Sequence, residues 1–186
     1  MHAKSPSADP LIIRRGTPQD RELVQAIAAE SMNEFGLIAD FKNLDRELGM
    51  FGGESASTAA EFVAVKHGQV VGSLILARKD SESLKLCGFY VHASSRGCGA
   101  GRKLLEYAIG FAQNSGYRRI LLETWSDMKS ALYLYRSFGW TPAQRLDPTS
   151  GAEWLYVLEW PIADMASEAA CAKSRVDAST SYSEAK

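Results

Sequence analysis

Three glycines fall close together in Arg96-Gly97-Cys98-Gly99-Ala100-Gly101-Arg102-Lys103, between a strand-like run and an amphipathic helical pattern. A chain can pass from strand to helix in so few residues only where side chains do not obstruct the turn. Each missing Cβ lets the backbone bend tightly and point successive N–H groups outward. The helix that follows adds unpaired donors and a partial positive charge at its start. With cations on both flanks, the stretch predicts a cradle for an anion, and phosphate is the usual occupant of such a place. Two familiar phosphate loops fail on spacing. A dinucleotide fingerprint G-x-G-x-x-G counted from Gly97 finds Arg102 where the third glycine belongs. A Walker A loop needs Ser or Thr after Gly-Lys, whereas here Gly101 is followed by Arg102, Lys103 and Leu104.

The chain's 186 residues predict one domain with a proper core, and 46% hydrophobic with 23% charged residues is ordinary for a soluble globular protein. A net charge of −1 gives no bulk attraction to nucleic acid or an anionic membrane, so the cations around the glycines favour a small anionic ligand. Cys87, Cys98 and Cys171 lack C-x-x-C spacing and read as reduced thiols; His2, His67 and His92 are not at metal-ligand spacing. No metal, nucleic acid or membrane partner is expected. The N-terminus has no apolar signal core and no run reaches membrane-spanning length, so the expected location is the cytoplasm.

Residues 1–9 are polar and expected to be flexible, a domain is expected over 10–162, and 163–186 reads as a tail without apolar periodicity, disordered or at most a short helix. Within the domain, 11–15 reads as a strand, and Thr17 and Pro18 open a helix carrying Val24, Ile27, Ala28, Ser31 and Phe35 and ending near Gly36. A shorter helix is expected over 42–49. Strands at 62–66 and 70–77 form a hairpin through His67-Gly68-Gln69, and 84–92 leads into the glycine loop. The helix after the loop carries Leu104, Leu105, Ala108, Ile109 and Ala112 and stops at Ser115-Gly116. A strand at 119–124, a helix with Ala131, Leu134, Tyr135 and Phe138 on one stripe, and strands from Trp140 and over 154–160 complete the chain. This order predicts an α+β fold with a mostly antiparallel sheet, parallel where the strands flanking the long helix meet.

Arg96, Gly99 and Gly101 fill the pattern R-x-x-G-x-G. Downstream, Ala131-Leu132-Tyr133-Leu134-Tyr135-Arg136-Ser137-Phe138-Gly139-Trp140 is similar to A-x-x-L-Y-x-x-x-G-F, with Trp for the final Phe. In this order and separation the two segments resemble the GNAT superfamily of N-acetyltransferases, over roughly residues 11–160. Glu34-Phe35-Gly36-Leu37 and Leu122-Glu123-Thr124 are similar to a subgroup carrying E-F/Y-G-L and L-E-T. The resemblance implies the GNAT fold, a mixed and mostly antiparallel sheet flanked by helices. It also implies acetyl-CoA as co-substrate and direct transfer of its acetyl group to a primary amine of a small molecule or peptide.

By the same resemblance, the pyrophosphate would take N–H groups along Gly97, Cys98, Gly99, Ala100, Gly101 and Arg102, with charge from Arg96, Arg102 and Lys103. The amides of the cofactor arm would pair with the strand edge at Phe89, Tyr90 and Val91. Tyr135 would protonate the departing thiolate; Tyr133, two residues away, points off that stripe. Two residues depart from the pattern. Lys85 stands where many relatives carry a glutamate base, and Met128 where they carry an asparagine. Glu123 or a water chain remains as the base, and Glu34 could instead line an acceptor pocket. Those departures motivate a rival reading, a non-catalytic acyl-CoA-binding regulatory module. Cys87 and Cys98 read as small space-filling residues, and Trp125, Trp154, Tyr156 and Trp160 as core rather than a cage for a cation. The acceptor would lie between the first helices and the last strands, and a homodimer built on sheet edges is common in such proteins.

Overall fold

The computed structural model describes residues 10–147, 149 and 151–161. The flexible N-terminus expected over 1–9, the tail expected over 163–186 and Cys171 lie outside the described residues. In chain order the elements are β1 (Ile12–Arg15), α1 (Arg21–Asn33), α2 (Arg46–Gly49), β2 (Thr58–Lys66), β3 (Gln69–Arg78), β4 (Ser83–Val91), α3 (Ala100–Asn114), β5 (Arg119–Thr124), α4 (Lys129–Ser137), β6 (Thr141–Arg145) and β7 (Trp154–Glu159). Short 3₁₀ turns at Pro18–Asp20 and Ala93–Ser95 precede α1 and the glycine loop. The order is the one the sequence predicts. Helix α1 stops at Asn33, short of the exposed Phe35, and α2 begins only at Arg46. The reason for the late start is local: Asp40 accepts the N–H groups of Lys42 and Asn43, both at 3.2 Å, and this turn competes with helix.

Seven strands form a single sheet in the order β1-β2-β3-β4-β5-β7-β6. Only β4 and β5 run parallel, as expected of strands joined by the α3 crossover. The β2–β3 hairpin closes through His67 and Gly68, with φ of 51° and 75°, the left-handed pair that matches the twist of its strands. One sheet face is covered by α3 and α4, whose Leu104, Leu105, Leu132 and Tyr135 pack on Phe62, Leu74, Leu84, Ile120 and Tyr156. The opposite face, over β2 to β4, is covered by α1 and α2 through Val24, Ala28 and Leu48 against Val63 and Ile75. Gln25 of α1 donates to the Leu48 carbonyl at 3.1 Å and fixes α2 in place. Most of the C-terminal aromatics are core, as expected. Tyr156 is buried, Trp154 and Trp160 are packed against the core, and the buried Trp140 indole donates to the Ile120 carbonyl at 3.1 Å. At the far edge, β6 is exposed throughout, Pro142 included, and its pairing with β7 slips between Pro142 and Gln144.

The two central strands part company midway. Ser83 to Leu86 pair with Arg119 to Leu122, and there the β4–β5 ladder ends. Beyond it, β4 pairs only with β3, and Glu123 and Thr124 of β5 only with β7. A bulge lies just past the parting point, where Ser73 faces Tyr90 but Ile75 faces Cys87, so β4 carries one extra residue. Gly88 fills it with φ +56°, and a Cβ there would sit 2.7 Å from Ile75 Cδ1. The buried Ser73 hydroxyl donates to the Gly88 carbonyl at 2.9 Å, satisfying an acceptor that the irregular ladder leaves over. Residues 87–91 therefore present an open edge on the side where β5 has turned away.

The entry to α1 is held by a charge. Arg14 grips both oxygens of the buried Asp20 at 2.7 and 2.8 Å, and the Thr17 N–H and hydroxyl both donate to the same carboxylate at 2.9 Å. The hydrogen bond from Arg14, with those from Thr17, holds the Asp20 carboxyl at about 2, well below the ordinary carboxylate range. Because the folded value lies below the unfolded one, the stabilisation is complete above about pH 4 and is lost as pH falls towards 2. Asp20→Asn is expected to remove on the order of 2 kcal/mol at pH 7. Urea unfolding should then show the wild type and the variant converging between pH 4 and pH 2; a pH-independent gap would refute this assignment.

Candidate active site

The glycine loop sits at the mouth of the β4–β5 opening. Gly97 and Gly99 have φ of +78° and +90°, left-handed conformations open to glycine at no steric cost. Gly99 is the N-cap of α3, and the first intrahelical bond runs from Lys103 N–H to the Gly99 carbonyl at 3.0 Å. The N–H groups of Ala100, Gly101 and Arg102 therefore point out of the helix start with no carbonyl behind them. Gly101 has a different reason to be glycine. A Cβ on it would lie 3.3 Å from Leu134 Cδ2 and from Phe89 Cζ, so α3, α4 and β4 close on one another at this point.

The three cations of the loop do not crowd this cradle. Arg102 lies over the Phe138 ring at 5.0 Å and reaches Ser137 Oγ at 3.4 Å. Lys103 donates to the Leu11 carbonyl at 3.0 Å, just before β1. Arg96 donates through both terminal nitrogens to Glu34, at 2.7 Å each, and through Nε to the Val91 carbonyl at 3.2 Å. The anion-attracting elements at the loop are thus the backbone donors and the helix dipole.

Phe89, Tyr90 and Val91 lie along the open edge, with side chains on alternating faces. Phe89 stacks against Tyr135 at 5.9 Å, while Tyr90 packs with Cys87 in the cluster under α1 and α2. Tyr135 is buried between Phe89 and Trp140, each ring 5.9 Å away. Burial drives its phenol far above the ordinary range, and the neighbouring Tyr90 adds to the shift, so the hydroxyl stays protonated. Tyr133, by contrast, is 77% exposed on the outer side of α4. Met128 caps the start of α4 and lies 3.8 Å by sulfur from the Thr124 hydroxyl, so a thioether occupies the position of the expected amide.

On the α1–α2 face the carboxylates take individual partners. Glu123 and Lys85 form an ion pair at 2.9 Å across β4 and β5, close to where the strands part. Lys85, at the position where many relatives carry a glutamate, thus neutralises Glu123, the carboxylate read as a candidate base. Glu34, read as a residue that could line an acceptor pocket, is held by Arg96. Glu47 on α2 was not foreseen from the sequence. It is half-buried, has no hydrogen bond or ion pair to another described residue, and follows the helix-opening Arg46 directly. Its neighbour Leu48 lies 3.2 Å from the place a Gly88 Cβ would take, which seats α2 on the β4 bulge. A helix this short has no periodicity to read; the core-bound Leu48 was the available signal.

The comparisons with known proteins agree on one family. A family model described as the acetyltransferase (GNAT) family matches residues 23–140. The uncharacterized N-acetyltransferase YjgM of Escherichia coli is 30% identical over 137 residues, covering 69% of this chain and 80% of that protein. A GNAT-family acetyltransferase from Staphylococcus aureus shares the fold with a TM-score of 0.68 at 22% identity, over 81% of this chain and 99% of that one. The structure of yncA from Salmonella typhimurium, solved with its cofactor acetyl-CoA, matches with a TM-score of 0.62 at 18% identity, over 82% and 95% of the two chains.

Cys87 supplies a check on this geometry. Burial, helped by the charge of Glu47, pushes its thiol up to about 12. The thiolate is the reactive form, so at pH 8 Cys87 should resist iodoacetamide in the folded chain and react once urea unfolds it. Peptide mapping by mass spectrometry reads this directly, and rapid native labelling of Cys87 would mean that α2 does not cover the bulge.

Proposed function

The chain belongs to the GNAT family of acetyltransferases, and from that footing we propose that it moves the acetyl group of acetyl-CoA to a primary amine of a small molecule or peptide by direct attack. The observation that carries this is the meeting of three features: the open edge of β4, the backbone cradle at Gly99 to Arg102, and a buried, protonated Tyr135 behind that edge. The site fits the donor part by part. Donors at a helix start suit a diphosphate. An unpaired strand edge suits the two amides of the arm, in the manner of an added strand.

In this reading the amine nitrogen bonds to the thioester carbon, the C–S bond breaks, Tyr135 gives the departing sulfur its proton, and the proton that the nitrogen sheds as the amide forms restores the phenol through solvent. Backbone N–H groups beside the β4 bulge face the charge that develops on the carbonyl oxygen. An ordinary alkylammonium, with a pKa of about 10.4, must lose a proton before it attacks. Glu123 is tied to Lys85 and so is not free to take it; Glu47, half-buried and without an ion pair or hydrogen bond to another described residue, takes the proton. The acceptor would approach over the segment joining α1 to α2, where Ile38 and Leu44 are 91% and 86% exposed. That combination suits an amine attached to an apolar body.

The test combines calorimetry with acetyl-CoA and a mass-spectrometric screen of amino acids, polyamines, aminoglycosides and peptides. The wild type should bind acetyl-CoA and acetylate at least one of these amines. Tyr135→Phe should lower kcat on the order of 100-fold and leave acetyl-CoA affinity unchanged. Gly99→Glu should abolish binding, since it places bulk and negative charge in the cradle. Binding without turnover on any amine would point instead to a regulatory acyl-CoA module, and absence of binding would end the reading altogether.

A further inference from the structure

Two carboxylates one helical turn apart, Glu30 and Glu34, stand at the end of α1 opposite His92 and Arg96, which flank the 3₁₀ turn before the glycine loop. The outer rung is light: His92 Nδ1 accepts the Ser94 N–H at 3.3 Å, and its Nε2 lies 3.4 Å from Glu30. The inner rung is a full fork. Arg96 places one terminal nitrogen on each Glu34 oxygen at 2.7 Å and its Nε on the carbonyl of Val91, the last residue of β4. All three guanidinium nitrogens are therefore engaged by protein. The hydrogen bond between the partners raises the Arg96 pKa and lowers that of Glu34, as a settled ion pair requires.

Arg96 fills the first position of R-x-x-G-x-G, where a side-chain ligand for phosphate is the obvious assignment. An arginine that reads a phosphate presents its planar fork to it. Here the fork is already given to Glu34, a residue 62 positions away. We propose that Glu34 is a positioning residue for the donor site: it locks Arg96 as a clasp fixing the exit of β4 and the start of the glycine loop against α1, so Arg96 acts through the shape of the loop and not as a phosphate ligand. The proposal rests on the acetyl-CoA reading of that loop. It also joins two sites, because Glu34 caps α1 at the point where the exposed acceptor-side segment begins.

Calorimetry with CoA on the full chain tests this without knowledge of the acceptor. Glu34→Ala and Arg96→Ala should each weaken CoA binding about tenfold, and the double variant should be no worse than either alone, as expected of residues that act as one unit. The melting temperature should hardly move, because both side chains are largely solvent-exposed and such pairs add little to global stability. The deciding variant exchanges the partners, Glu34→Arg with Arg96→Glu. The exchanged pair rebuilds the bridge to α1 but not the hydrogen bond to the Val91 carbonyl, which a carboxylate cannot donate, so a clasp recovers part of the lost affinity. A phosphate ligand is replaced by a repelling carboxylate, so a swap that binds worse than Arg96→Ala overturns the proposal. So does an unchanged affinity in Glu34→Ala. A wild type that fails to bind CoA refutes the donor reading itself and takes the clasp with it, a result distinguishable from variants failing beside a wild type that binds.

Discussion

Strands β4 and β5 are hydrogen-bonded as far as Leu86 and Leu122 and then separate, and the architecture of the site follows from that separation. An interior strand normally has both edges occupied. A parallel pair that opens halfway leaves backbone donors and acceptors in the middle of a sheet, where water or a strand-like ligand must meet them. The Gly88 bulge makes the opening local: it bends β4, turns Phe89 towards α4, and keeps Tyr90 on the α1 side. The surrounding core has to be rigid to hold such a gap. Tyr135, Phe89 and Trp140 stacked in series on one face, with Leu48 and Ile75 against the bulge on the other, supply that rigidity.

Backbone and side-chain electrostatics divide the labour around this gap. The cradle is built of N–H groups whose directions are set by Gly99 and the start of α3. Side-chain charges are committed elsewhere: Arg102 to α4, Lys103 to the approach to β1, and Arg96 to α1. Backbone donors cannot swing away or be screened by rotation, so a site made from them is pre-organised. Cations placed one shell out act as fasteners between elements, and they draw α1, β1 and α4 towards a single loop.

The sequence announced the strands, helices and glycine loop because each rests on short-range signals. Period-2 and period-3.6 apolar spacing marked the elements, and the glycines at 97, 99 and 101 marked the crossing. The separation of β4 and β5 was not legible, since Gly88 reads in sequence like any glycine in a strand. Long-range ion pairs were equally hidden. Nothing local about Glu34 or Lys85 says that each will meet its opposite charge, and each pair changes the role of a residue that had been read alone. Glu47 was invisible for a third reason: its position comes from α2 docking on β4, a tertiary event without a sequence period. Local grammar therefore gave the frame and the glycine loop, while the face under α1 and α2 is assembled from contacts distant in the chain.

The last strand of the sheet bears on assembly. With Pro142 in its short length and a slip before Gln144, β6 offers an interrupted row of amides on its outer edge. A proline is tolerated on an edge strand, where no further strand calls on its missing N–H. A second chain that tried to lengthen the sheet through β6 would meet a gap in the ladder and then a broken register, with Arg145 at the end. Interrupted edges of this kind keep sheets finite. Continuation of the sheet past β6 is therefore disfavoured at this edge.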